Sequence, residues 1–345
     1  MATKLSIITG GSGYFGSLLR DRLRARGQTV RVFDLADTED RPADVSFVPG
    51  DIRDITQVAQ ALTDGSTVYH CVAQVPLAKD KQLFHSVNVQ GTENLLQAAL
   101  TAKVSKVIYV SSSAVFGVPQ SNPVTEATPP TPGEAYGAAK LEGENLCQRY
   151  TRTGLDVTII RPRTIMGHGR LGIFQILFEW IREGYNVPVF GRGDNIYQFV
   201  HADDLAEACM LAAARPGSTT YNCGAASFGT MRDALEHLCA HAKTGSQVRG
   251  VPMKPAVALM NLTSALGLSP LGAYHALMYG RSLYFDSSKA QRELHWQPRY
   301  STDQMFAQSY DWYLANRAAI LRSPGASHHR SAVKQGLLAL FKHWL

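Results

Sequence analysis

Tyr136 and Lys140, in the run Tyr136-Gly137-Ala138-Ala139-Lys140, stand four residues apart. Four residues is about one helical turn, so the pair shares a helix face. A lysine ammonium beside a phenol favours the phenolate and lowers the tyrosine pKa. Upstream lies a serine cluster, Ser111-Ser112-Ser113, whose hydroxyls can hold a substrate oxygen. At the N-terminus is a glycine loop, Thr9-Gly10-Gly11-Ser12-Gly13-Tyr14-Phe15-Gly16. Together these residue types describe a proton-transfer device beside a dinucleotide. A Tyr-x-x-x-Lys pair by itself is usually a solvated helix face. The ordered set of three features in one chain is what gives it chemical meaning.

The glycine loop has the context that such a loop needs. It follows a strand-like run, Leu5 to Thr9, and opens an amphipathic helix carrying Leu18, Leu19 and Leu23 that ends near Gly27. Gly10 permits the tight turn, Gly13 lets the backbone approach a pyrophosphate, and Gly16 lets the helix pack close to the sheet. Tyr14 and Phe15 sit at the helix N-terminus, which favours phosphate charge. The next strand, Val30 to Phe33, ends in Asp34. A carboxylate there accepts hydrogen bonds from the adenosine ribose and repels a 2′-phosphate, so the expected cofactor is NAD rather than NADP. Strand alternation turns Arg31 away from Asp34. Asp51 and Ile52 follow a third short strand, Val45 to Val48, and are placed at the adenine; a plain turn is the alternative. Ala73 and Gln74 follow a fourth strand, Val68 to His70, near the middle of the cofactor. Asn88 reads as structural, tying a helix to neighbouring backbone.

A fifth strand over Val104 to Val110 runs into the serines. A sixth over Leu155 to Ile160 closes on Arg161-Pro162-Arg163. Strands separated by helices imply an α/β fold, a Rossmann-type doubly wound parallel sheet, with functional loops at the carboxyl ends of the strands. After Pro162 the alternation fades. The expected organisation is a cofactor domain over 1–165, with a segment around 199–225 returning to it. A smaller substrate-binding lid over 166–322 and an amphipathic tail over 323–345 complete it.

Bulk composition bounds the function. The chain has 345 residues, 45% hydrophobic and 18% charged, with a formal net charge of +6. The cations are scattered and no basic run is interleaved with aromatics, which argues against nucleic acid. Five cysteines, Cys71, Cys147, Cys209, Cys223 and Cys239, form no Cys-x-x-Cys pair and sit among apolar or small residues. That usage fits a reducing, cytoplasmic setting. No leader is evident and no apolar run approaches the length of a membrane span.

These residues resemble the extended short-chain dehydrogenase/reductase superfamily, the NAD-dependent epimerase/dehydratase family, from about residue 4 to 315. The resemblance rests on Thr9 to Gly16, Asp34, Gly50-Asp51-Ile52, Asn88 with Gly91-Thr92, Ser111 to Gly117, Tyr136 with Lys140, Arg161-Pro162, and Phe199 to Asp204. It implies that Tyr136 is the general acid/base and that Lys140 binds the nicotinamide ribose and depresses the tyrosine pKa. It places Pro162 beside the cofactor. Counting back from Gly117, the family's catalytic hydroxyl falls on Ser112; Ser111 and Ser113 remain open. The resemblance further implies a homodimer built through helices such as Gly91 to Leu100 and Tyr136 to Tyr150.

Two features bear on which member it is. Family epimerases usually carry an arginine two residues before the Phe of the Phe-Val-His-x-Asp-Asp segment, gripping a nucleotide diphosphate; here that position is Tyr197. Arg163, Arg170, Arg192 or Arg281 could substitute. The stretch from Val251-Pro252 through Pro270, Tyr274-His275 and Tyr284-Phe285-Asp286 is apolar and aromatic, like that of 3β-hydroxysteroid dehydrogenase-like and dihydroflavonol reductase-like members. It could equally be the core of the small domain. The expected function is therefore an NAD(P)-dependent oxidoreductase that interconverts a secondary alcohol and a ketone on a bulky apolar, steroid-like or oxoacyl substrate. The alternatives are a nucleotide-sugar 4-epimerase using transient oxidation and a non-catalytic NAD-sensing scaffold. Ser113, Arg163, Tyr197 and Arg281 are the candidate substrate contacts.

His237 and His241, at i and i+4, lack a third ligand at metal spacing and read as a helix face, so no metal is expected. His168 and His201 fall near the substrate cleft. After Pro324-Gly325, residues Val333, Leu337, Leu340, Phe341 and Trp344 share one helical face. That face could lie on an anionic membrane, on a partner subunit or on its own domain.

Overall fold

The structure, a computed structural model, describes residues 5–75, 81–170, 172–265, 278–322 and 342. The amphipathic tail, Lys342 apart, and the Pro270 to His275 part of the apolar stretch lie outside the described residues. Among the described residues, no helix is long and apolar enough to cross a membrane.

Seven parallel strands form the main sheet: β1 (Leu5–Thr9), β2 (Thr29–Asp34), β3 (Ser46–Pro49), β4 (Thr67–His70), β5 (Lys106–Val110), β6 (Val157–Pro162) and, later in the chain, β10 (Thr219–Cys223). Their order is β10-β6-β5-β4-β1-β2-β3. The order reverses between β1 and β4, and a parallel sheet opens its ligand crevice at such a point, outside the carboxyl ends of the strands. Strands β4, β5 and β6 are buried along their whole length, as expected of strands covered on both faces. On one face α1 (Tyr14–Ala25) packs with α7 (Ala202–Ala214) through Leu19, Leu23, Leu205 and Cys209. On the other lie α2 (Ile55–Ala61), α4 (Gly91–Thr101) and α5 (Ala135–Arg152). The short α3 (Lys81–His85) enters α4 through a π-helical turn, Ser86–Gln90.

The strand starts differ from those read off hydrophobicity. Val104 and Leu155 are buried but precede their strands, because each backbone N–H closes the preceding helix, onto Ala99 O at 3.0 Å and Tyr150 O at 3.2 Å. An apolar residue at such a helix end packs against the core without joining the ladder.

A third core assembles from the later chain. It comprises α6 (Ile173–Arg182), β8 (Val187–Phe190), α8 (Met231–Ala242), β11 (Val248–Val251) and α11 (Thr302–Arg322), with β8 and β11 forming a parallel pair. The short β7 (Thr164–Met166) and β9 (Phe199–His201) pair beside the main sheet. Helix α9 (Met253–Ala265) follows β11, and α10 (Ser288–Leu294) packs with Trp296 against the α1–α7 layer. His237 and His241 meet carboxylates of α11, Asp303 at 2.9 Å and Asp311 at 2.8 Å, so this helix face joins two helices. Asp204 lies in the first turn of α7. Its carboxylate accepts from the backbone N–H groups of Arg299 and Tyr300 at 2.9 and 3.2 Å, anchoring the chain that leads into α11.

Candidate active site

One cavity of about 770 Å³ opens at the carboxyl ends of the strands. Its wall includes Gly10, Gly13, Tyr14, Phe15, Gly16, Asp34, Asp51, Ile52, Ala73, Ser112, Ser113, Tyr136, Lys140, Pro162 and Arg163. Residues up to 153 positions apart in sequence are thus brought to one site. Tyr197 and Arg281 lie outside this wall: Tyr197 is buried with its hydroxyl on Thr164 Oγ1 at 2.9 Å, and Arg281 is exposed.

The cofactor end is built around close backbone approach. Gly10 turns with φ of +78°, the left-handed region that glycine enters without cost. A Cβ on Gly16 would come 2.1 Å from Gly10 O, so only glycine lets α1 start this near the loop. Helix α1 has no side-chain cap at Gly13 and no acidic residue in its first turn. Its leading N–H groups and positive dipole end are therefore open to a phosphate, which is the fit a pyrophosphate needs. Asp34 accepts from Ser12 N at 3.0 Å and Leu35 N at 2.8 Å, which fixes its carboxylate at the end of β2; burial pushes its pKa up. Asp51 is bound by Arg53, whose guanidinium holds its carboxyl below the usual range. Asn88 braces the loop after β4: its side chain accepts from Gln74 N at 2.8 Å and donates to Gln74 O at 3.0 Å.

The reaction end separates the three serines. Ser111 Oγ donates to Glu144 Oε1 at 2.5 Å, and Glu144 is in turn held by a buried bidentate pair with Arg161, at 2.9 and 2.5 Å. Ser113 Oγ accepts from Arg163 Nη1 at 2.7 Å. Ser112 caps the short turn Ser113–Phe116 and hydrogen-bonds Tyr136. Of the three, Ser112 is the one presented to the phenol. Tyr136 is set at the first turn of α5 by Glu134, whose carboxylate accepts from the N–H groups of Tyr136 and Gly137 at 2.7 and 2.6 Å.

The electrostatics differ from the expectation for Lys140. Burial pushes the Tyr136 phenol up to about 12, opposed by the Ser112 hydrogen bond and the nearby Arg170 cation. Lys140 is 2% exposed, donates to Val110 O at 2.8 Å and lies over the Tyr109 ring; burial lowers its pKa to about 8. Helical spacing does set the two side chains on one face, but the ammonium turns to a strand carbonyl. In the chain by itself, Ser112 and Arg170 are what favour the phenolate.

Glu144 went unread in sequence, and Arg170 was read only as a stand-in for a diphosphate-gripping arginine. Glu144 completes a stripe with Tyr136 and Lys140 at successive i+4 positions, a pattern visible in retrospect. Arg170 sits between Gly167, Gly169 and Gly172, all at positive φ, with its guanidinium over the Tyr14 ring at 5.4 Å. His168, His201 and Asp203 cluster within metal-ligating distance. Two of the three are already engaged: His201 Nε2 with Gln308 at 2.7 Å, and Asp203 with Arg22 at 2.7 Å.

Comparison with known proteins agrees with this geometry. The family described as NAD dependent epimerase/dehydratase matches residues 6–224. A Sinorhizobium fredii (strain NBRC 101917 / NGR234) protein described as "Uncharacterized protein y4nG" is 53% identical over 99% of this chain and 86% of its own length. An Arabidopsis thaliana 3beta-hydroxysteroid-dehydrogenase/decarboxylase isoform 2 is 31% identical over 85% of this chain, which spans 59% of that relative. The Thermus thermophilus UDP-glucose 4-epimerase in complex with NAD superposes with a TM-score of 0.73 at 26% identity, covering 90% of this chain and 99% of that one. With its open helix N-terminus, its Asp34 carboxylate and these similarities, the chain belongs to the NAD-dependent epimerase/dehydratase family and uses NAD.

Proposed function

We propose that the chain interconverts a secondary alcohol and a ketone on a bulky substrate with a largely apolar body. The observation that carries this reading is the Ser112–Tyr136 pair in a cavity whose wall also carries the apolar side chains of Val75, Leu83, Val87, Ile165, Ile173 and Phe174. Gly10, Gly13, Gly16 and Asp34 would hold NAD, which when bound supplies the hydride acceptor. Ser112 holds the reacting oxygen, and Tyr136 takes the hydroxyl proton during oxidation or returns it during reduction. Lys140, fixed on Val110, presents a buried donor beside them. The apolar part of the wall excludes water and seats the substrate body.

The epimerase reading has less support. Tyr197, at the position where a diphosphate-gripping arginine is expected, is buried against Tyr279 and turned from the cavity. The test is absorbance of NADH formed with secondary alcohols and with UDP- or dTDP-sugars. Stoichiometric NADH from an alcohol supports the proposal. A converted sugar with no net NADH overturns it.

The pH dependence follows from the charges around the phenol. Oxidation needs the phenolate, so kcat/KM for the alcohol rises with pH toward the tyrosine pKa. Arg170 favours the anion; Arg170→Met removes that help and moves the limb to higher pH. At pH 8, below the tyrosine pKa, the rate then falls. An unshifted limb would show that Arg170 does not act on Tyr136.

A further inference from the structure

Arg163 follows β6 and is 1% exposed. Its Nη1 donates to Ser113, but Nε and Nη2 are buried without any hydrogen-bond partner. Among the described residues no carboxylate forms an ion pair with it. The rings of Tyr197 and Phe285 lie 4.7 and 5.7 Å from its guanidinium carbon. These cation–π contacts offset only part of what it costs to bury a guanidinium. A buried cation with no counter-charge and two unused donors is a group awaiting an anion.

The surrounding charges point the same way. The carboxylates in the cavity wall are Asp34, the last residue of β2, and Asp51, which follows β3. The remainder of the wall holds Lys140, Arg163 and Arg170 and no acidic residue. Arg163 and Ser113 are joined by a hydrogen bond, and Ser113 is one residue along the chain from Ser112, which faces Tyr136.

We propose that Arg163 is a specificity residue that receives a carboxylate carried by the substrate within a few bonds of its reacting carbinol carbon. This rests on the alcohol–ketone reading and narrows it: the substrate is a hydroxy acid with an apolar body. A guanidinium matches a carboxylate with two parallel N–H donors, here Nε and Nη2, while Nη1 stays on Ser113. The acid then neutralises a charge that the fold leaves bare.

The test uses the full chain with a matched pair of probes: a bulky alicyclic 2-hydroxycarboxylic acid, carboxyl on the carbon next to the carbinol, and its 2-methyl counterpart. Wild type is expected to prefer the acid by at least about thirtyfold in kcat/KM, read as NADH formed. In Arg163→Met that preference collapses to within about threefold, and Arg163→Lys keeps part of it. Because Arg163→Met removes an uncompensated buried charge, its melting temperature is expected to equal or exceed that of wild type. A purely structural arginine would instead lower the melting temperature and leave the acid preference intact, which overturns the proposal. Should Arg163→Met fail to fold, the wild-type pair still decides: equal use of acid and methyl compound overturns it. NADH from both probes alike sinks this inference alone, whereas NADH from neither sinks the alcohol reading beneath it.

Discussion

Tyr136→Phe lowers kcat about a thousandfold and leaves NAD affinity within about twofold of wild type. The substitution removes one oxygen and keeps the ring, which is 9% exposed and packs edge-on against Phe84 at 6.4 Å. The backbone of Tyr136 stays clamped by Glu134, so α5 starts in the same place. What is lost is the proton acceptor for the alcohol, together with the hydroxyl that Ser112 meets. The glycine loop and Asp34, on other elements, are untouched. Stopped-flow turnover and NAD titration by fluorescence check the two halves separately. An active Tyr136→Phe would mean that some other group moves the proton.

Glu144→Ala destabilises the protein by about 4 kcal/mol, because it leaves Arg161 buried without its counter-charge. Glu144 is 1% exposed and Arg161 5%, and the pair is bidentate. Arg161 would keep only the Phe116 ring, 5.0 Å from its guanidinium carbon, which cannot replace a carboxylate. The effect reaches the chemistry through Ser111, whose hydroxyl also ends on Glu144. Without that tie the strand end carrying Ser112 loosens, and kcat falls further than KM rises. Glu144→Gln keeps the shape and one acceptor oxygen, so it recovers part of the loss. Urea denaturation measures the first effect. A midpoint unchanged in Glu144→Ala would remove the pair from any role in holding the site.

Much of this site was legible in the chain because its parts are local. Thr9 to Gly16 is one turn between one strand and one helix, and its glycines are demanded by backbone clearances of a few residues' reach. Tyr136 and Lys140 needed only helical spacing. The serines were legible as a cluster but not individually, because what separates them is three different partners, Glu144, Tyr136 and Arg163, each from a distant segment. Lys140 shows the same limit: spacing fixed its face, but the carbonyl of Val110 decided where its ammonium points. Arg163 could be named as a candidate but not understood. Its rings come from Tyr197 and Phe285, 34 and 122 residues further on, and no local pattern announces such a box.

The packing of α7 on α1 has a consequence for how the protein comes to be made. Arg22 and Arg26 pair with Asp203 and Glu207, each 181 residues later in the chain. The edge of β6 is likewise covered only when β10 arrives. A ribosome delivers the chain from its N-terminus, so a nascent chain that ends at Arg163 already holds six strands of the sheet. It still leaves the apolar stripe of α1 uncovered and one sheet edge open. Contacts closed over such long separations form slowly and expose apolar surface meanwhile. The glycine loop is therefore synthesised first and fixed late, since the helix that braces it waits for more than half the chain.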